Sequence, residues 1–99
     1  MAIDYVVVPS GTGDVQAIQP NNFLRLCGWS VSEDAGSTAQ VVIRDGTSAS
    51  GNPLVAPINC APNGFGMWFT SGQGIPCSRG LFVDRISGQT TVVLYFDIL

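Results

Sequence analysis

Thr91-Val92-Val93-Leu94-Tyr95-Phe96-Asp97-Ile98 is the stretch on which the fold turns. In an extended chain Val92, Leu94, Phe96 and Ile98 fall on one side and Thr91, Val93, Tyr95 and Asp97 on the other, a period of two that a helix cannot present. The pattern predicts a strand with one strongly apolar face and places Leu94 and Phe96 in the core. Upstream the same alternation recurs. Val41 and Ile43 alternate with Val42 and Arg44, Leu81 and Val83 with Phe82 and Asp84, and Leu54, Ala56 and Ile58 with Val55, Pro57 and Asn59. Pro57 lacks a backbone donor, so its strand is expected at a sheet edge or with a bulge.

Turn formers punctuate the whole chain at Pro9 to Gly13, Pro20 to Asn22, Glu33 to Ser37, Asp45 to Asn52, Ala61 to Gly64, Ser71 to Gly74, Ser78 to Gly80 and Ser87 to Gln89. The intervals left between them are too short for helices and rich in β-branched and aromatic residues. They are Ile3 to Val8, Val15 to Ile18, Phe23 to Ser32, Ala39 to Arg44, Leu54 to Asn59, Phe65 to Phe69, Leu81 to Ser87 and Thr91 to Ile98. The expected fold is all-β, a single antiparallel β-sandwich or jelly-roll of about eight short strands. Residues 1–22 read as an N-terminal strand or an arm that contacts a neighbouring subunit, and residues 23–99 as the sandwich body.

The chain has 99 residues, enough for one domain that buries roughly two-thirds of its unfolded surface. Charged residues make up 11%, there is no lysine, and Arg25, Arg44, Arg79 and Arg85 face seven carboxylates for a net charge of -3. Soluble domains are usually about 25% charged. So little charge suits a surface covered within an assembly, and a homo-oligomer is expected. The acidic balance argues against nucleic acid as a partner. No apolar run approaches the ~18 residues of a membrane helix, so no membrane partner is expected either. Met1-Ala2-Ile3-Asp4 has neither the basic start nor the apolar stretch of a secretory signal, which predicts synthesis in the cytosol.

Chemistry is sparse. With no histidine the commonest general base and neutral metal ligand are both missing. Cys27, Cys60 and Cys77 are odd in number and widely spaced, so they read as buried free thiols rather than a disulfide framework or zinc site. Among carboxylates, Glu33-Asp34 and Asp45 sit in turns where such groups cap the backbone, and Asp84 and Asp97 occupy outward strand positions. Asp45, Thr47, Ser48 and Ser50 offer oxygens to calcium, but one carboxylate is thin for a hard dication. Ser10 to Gly13 and Ser71 to Gly74 lack the spacing and lysine of phosphate loops. No catalytic residue, cofactor or metal site is assigned, and the chain is not expected to be an enzyme. Trp29, Trp68 and Tyr5 are the candidate contacts for a partner or a glycan. If Phe65, Met67 and Phe69 face inward, Gly66 and Trp68 face outward, where a tryptophan marks an interface.

Val41-Val42-Ile43-Arg44-Asp45-Gly46-Thr47, Gly51, Leu54-Val55-Ala56, Gly74 to Val83 and Ile86-Ser87-Gly88 resemble the small β-sandwich virion proteins of tailed bacteriophages. In those proteins a strand ending in Asp-Gly-Thr leads through a hairpin to an apolar strand, and a Gly-Ile, Arg-Gly-Leu segment precedes the last hairpin. The resemblance implies a structural protein of the virion made in the host cytoplasm, a capsid decoration or cementing protein bound to other capsid or tail subunits. A tail or fibre module that binds glycan for host recognition is the alternative. No functional residues come with the resemblance, and it does not reach the N-terminal stretch or Cys27 to Ser37.

Overall fold

The computed structural model describes residues 3–19, 23–70 and 72–98. Ten strands follow one another: β1 (Asp4–Gly11), β2 (Val15–Ile18), β3 (Leu24–Glu33), β4 (Ala39–Asp45), β5 (Asn52–Pro53), β6 (Ile58–Cys60), β7 (Phe65–Phe69), β8 (Ile75–Cys77), β9 (Leu81–Ser87) and β10 (Thr90–Ile98). They form two antiparallel sheets. The first runs β1-β10-β3-β7, with β8 beside β7 on the same side of β3; the second runs β2-β9-β4-β5, with β6 beside β5 on β4.

The two pairs of short strands each fill one strand position. β7 pairs with residues 28–32 of β3 and β8 with residues 24–26. β5 pairs with residues 44–45 of β4 and β6 with residues 39–41. Eight positions result, and the first pairs with the eighth, the second with the seventh, the third with the sixth and the fourth with the fifth. This is one long hairpin wound on itself, closed by the β10–β3 and β9–β4 ladders. That winding is the jelly-roll, the finer of the two architectures the alternation allowed.

The core lies between the sheets. Leu24, Leu26 and Val31 of β3, Val92, Leu94 and Phe96 of β10, Val41 and Ile43 of β4, and Leu81 and Val83 of β9 are all buried. Leu94 and Phe96 take the inward positions that the alternation assigns. Cys27 is the extra residue of a bulge, since Gly28 pairs with Tyr95 and Leu26 with Phe96. The three cysteines are buried and free.

Three expectations need correction or qualification. Leu54 to Asn59 is not one strand: Pro53 and Pro57 cannot donate to a ladder, so the chain pairs at Asn52–Pro53, bends over residues 54–57 and pairs again from Ile58. Ile75–Cys77, which the turn-rich reading leaves as a connection, is a strand on β3. Residues 4–18 supply β1 and β2, which pair within the chain with β10 and β9. The expected boundary after residue 22 and the Pro20 to Asn22 turn lie outside the described residues.

Candidate interaction surface

Register decides which side chains leave the first sheet. Val31 and Leu94 are buried, and their pairing fixes parity across the neighbouring strands. Trp68 pairs with Trp29, which pairs with Leu94, so both tryptophans lie on the inner face. Phe65, Met67 and Phe69 pair with Ser32, Ser30 and Gly28 and point outward. This reverses the orientation expected for β7. Alternation shows that the two sets face opposite ways but not which is inside, and Phe-Gly-Met-Trp-Phe is apolar on both.

The outer face of the first sheet is therefore apolar and aromatic. Tyr5 and Val7 come from β1, Val93 and Tyr95 from β10, and Phe65, Met67 and Phe69 from β7. Phe65 is 68% exposed, Tyr5 62%, Phe69 59% and Met67 47%. The Tyr5 and Tyr95 rings lie 6.3 Å apart, and those of Phe69 and Tyr95 5.2 Å apart, so three aromatics span four strands. Gly28 makes this possible: a Cβ there would sit 2.5 Å from the Phe69 ring. Charge on this face lies at its two ends: Arg25 sits opposite Asp97 at one, and at the other the Asp34 carboxylate accepts from the Ser32 and Thr91 hydroxyls. The second sheet differs: Arg44 Nε donates to Asp84 Oδ2 at 2.9 Å across its outer face, and Arg44 also donates to the Gly51 carbonyl at 3.0 Å.

Trp29 and Trp68 stack at 6.5 Å, tilted by 27°, at the open side of the sandwich. Trp68 is 42% exposed because β7 is an edge strand, not because it points outward. Its ring covers Gly66. A cleft of about 270 Å³ lies beside the pair, walled by Val55 to Asn59. Tyr5 is on the opposite edge and the opposite face, so the three candidate contacts do not form one site.

Glu33 and Asp45 are occupied with the backbone. Glu33, buried at the end of β3, accepts hydrogen bonds from the amides of Ala35, Gly36, Ser37 and Asn63 at 2.8 to 3.0 Å. Asn63 aims its amide from φ 55°, a left-handed conformation that asparagine tolerates well. The Asn63 amide, helped by the other three and opposed by burial, holds the Glu33 carboxyl below its ordinary range. Asp34 is also lowered, chiefly by the Thr91 hydroxyl. Asp45 accepts from the amides of Ser78 and Arg79 and from the Cys77 thiol, while Ser48 and Ser50 bond to each other. The expected oxygen cluster is thus a loop brace. Burial, followed by Asp45, pushes the Cys77 thiol up to about 12.

In the sequence Arg85 is one positive charge among four. It is buried on the inner side of β9 and donates to the carbonyls of Pro9, Gly13 and Thr90 and to the Thr90 hydroxyl. Asp14 Oδ1 accepts from its backbone amide at 2.9 Å. The side chain rivets the β1–β2 connection to the last hairpin. No sequence signal distinguishes it from a surface arginine, because its partners are backbone groups up to 76 residues away.

Compared with known protein families and with curated proteins, the chain matches no family model and no curated relative. The likeness to phage virion proteins rests on the residues quoted for it alone, and function has to be read from the geometry.

Proposed function

We propose that the chain is a non-enzymatic structural module that packs onto another protein through the outer face of its first sheet, as a capsid decoration or cementing protein of a phage virion does. One observation carries this reading: the aromatic face, uncharged between its two ends, built by Tyr5, Tyr95, Phe69 and their neighbours. Its exposed side chains amount to roughly 500 Å², at the upper end of what a monomer ordinarily shows to water. A binding surface of this kind gains from desolvation without the cost of stripping charges. The low total charge agrees with it. So does the employment of Glu33, Asp45, Asp84, Arg44 and Arg85 in bracing the fold.

The test uses particles of the phage that carries the gene, stripped of this chain. Wild-type protein is expected to rebind them. Val93→Asp, which puts a charge at the middle of the face, is expected to lose rebinding while keeping the circular dichroism spectrum. Undiminished rebinding of the variant would remove the face from the interaction, and no rebinding by the wild type would remove the capsid as partner.

A glycan-binding role in a tail fibre is the second reading, favoured by the stacked Trp29–Trp68 pair beside its cleft. Trp68→Ala should then abolish binding to host polysaccharide and leave capsid rebinding intact.

A further inference from the structure

Among the described residues, five of the six edge strands carry a feature that deters pairing with another chain. β1 contains Pro9 and a register shift after Val8; β2 has four residues and a bulge. β5 contains Pro53, β6 lies between Pro57 and Pro62, and β8 contains Pro76. Prolines, bulges and short length are the standard guards of a sheet edge. β7 has none of them: Phe65-Gly66-Met67-Trp68-Phe69 is regular, uncharged and free of proline.

Its free main-chain groups can be placed by parity. The Gly64 carbonyl accepts from Glu33 and the Thr70 amide donates to Cys27, so even-numbered residues of this segment face β3. Phe65, Met67 and Phe69 then turn both N–H and C=O away from the sheet. Among the described residues no group bonds to them.

We infer that β7 is the edge through which two copies of this chain pair, antiparallel and in register about Met67. A two-fold axis there sets Met67 opposite its counterpart and Phe65 opposite Phe69, so three hydrogen-bonded residue pairs form and six backbone bonds close the gap. Methionine meets methionine at the axis, no charge opposes the approach, and phenylalanine faces phenylalanine on either side of it. The guarded β1 edge on the far side of the sheet stops further addition, so the product is a closed dimer rather than a fibre. Phe65, Met67, Trp68 and Phe69 offer on the order of 400 Å² per copy, about half of a standard interface, so the dimer is concentration-dependent. It joins two aromatic faces into one continuous surface. It neither requires nor is required by the packing role proposed above.

Met67→Pro is the decisive variant. It removes an amide that faces only the open edge, proline is tolerated in such a position, and the preceding residue, Gly66, is the least restricted by it. Met67→Ala keeps the amide and loses the side chain. In sedimentation velocity from about 10 µM to about 1 mM, the wild type and Met67→Ala should dimerise and Met67→Pro should need at least about tenfold more protein. Met67→Cys should cross-link to its own copy under mild oxidation, since facing Cα atoms of such a pair lie about 5.5 Å apart, within reach of a disulfide. Tyr5→Cys, on the guarded edge, should not. A wild type monomeric throughout, a Met67→Pro variant that dimerises as well as the wild type, or a Met67→Cys variant that cross-links no faster than Tyr5→Cys would overturn the inference. Should Met67→Pro fail to fold, the cross-linking result decides alone. Neither readout involves capsids, so failure here leaves the packing role standing, and failure of capsid rebinding leaves the dimer.

Discussion

Arg85 carries a full charge into the end of the sandwich and spends it on backbone carbonyls. Arg85→Met keeps the apolar stem but strands those acceptors, and is expected to cost about 3 kcal/mol in denaturant unfolding. Arg85→Lys should recover only part, because an ammonium cannot reach the spread of acceptors that the guanidinium fork serves. Glu33 makes a different prediction. Its folded carboxyl titrates below its ordinary value of 4.5, so in acid the unfolded chain takes up a proton that the folded chain refuses. The stabilisation is complete above that ordinary value and drains away as pH falls through the lowered one. Asp34, lowered from 3.8, adds to the same limb. Glu33→Gln should therefore lower Tm at pH 7 by several degrees and flatten the acid decline. The turn-capping roles of Glu33 and Asp45 were legible because both stand in Gly/Ser-rich turns. Arg85 was not, since nothing local to residue 85 records which carbonyls lie around it.

Strand existence was largely readable from the chain, and the exceptions have physical causes. Val15–Ile18, Phe65–Phe69 and Leu81–Ser87 begin and end where the apolar runs do. Leu54 to Asn59 alternates as a strand should, but alternation is blind to the missing donors of its prolines. Orientation was readable where one face is wholly apolar and the other carries Thr91 and Asp97, as in β10, and unreadable in β7, where only the partner Trp29 fixes the inside. Two glycines hold β7 in its packing, and each supplies a test. Gly28→Ala drives a methyl into the Phe69 ring and should cost about 1 kcal/mol while loosening the outer aromatic row. Gly66→Ala, whose Cβ would lie 2.3 Å from the Trp68 indole, should displace that ring and shift tryptophan emission to the red. An unchanged emission spectrum would mean that the indole does not rest on Gly66.

At the scale of the whole molecule, strand pattern fixed the class while leaving the winding open, because alternation does not record which strand pairs with which. The pairing is dominated by distant segments, β1 with β10 above all, which places folding in the millisecond-to-second range rather than the microseconds of a helical bundle. Stopped-flow refolding checks this. The three thiols should react with Ellman's reagent fully after denaturation and slowly before it, Cys77 slowest, because its thiolate is disfavoured and its side chain is buried. The β1–β10 ladder has a mechanical consequence as well. Asp4 lies opposite Phe96, so a tether at each of these points pulls from the same end of the antiparallel pair and opens its rungs one at a time. Tethers at Asp4 and Thr90 grip opposite ends and load every rung together. In a force spectrometer the first geometry should yield softly and the second abruptly at higher force, so this small shell of strands is strong or weak according to where it is held.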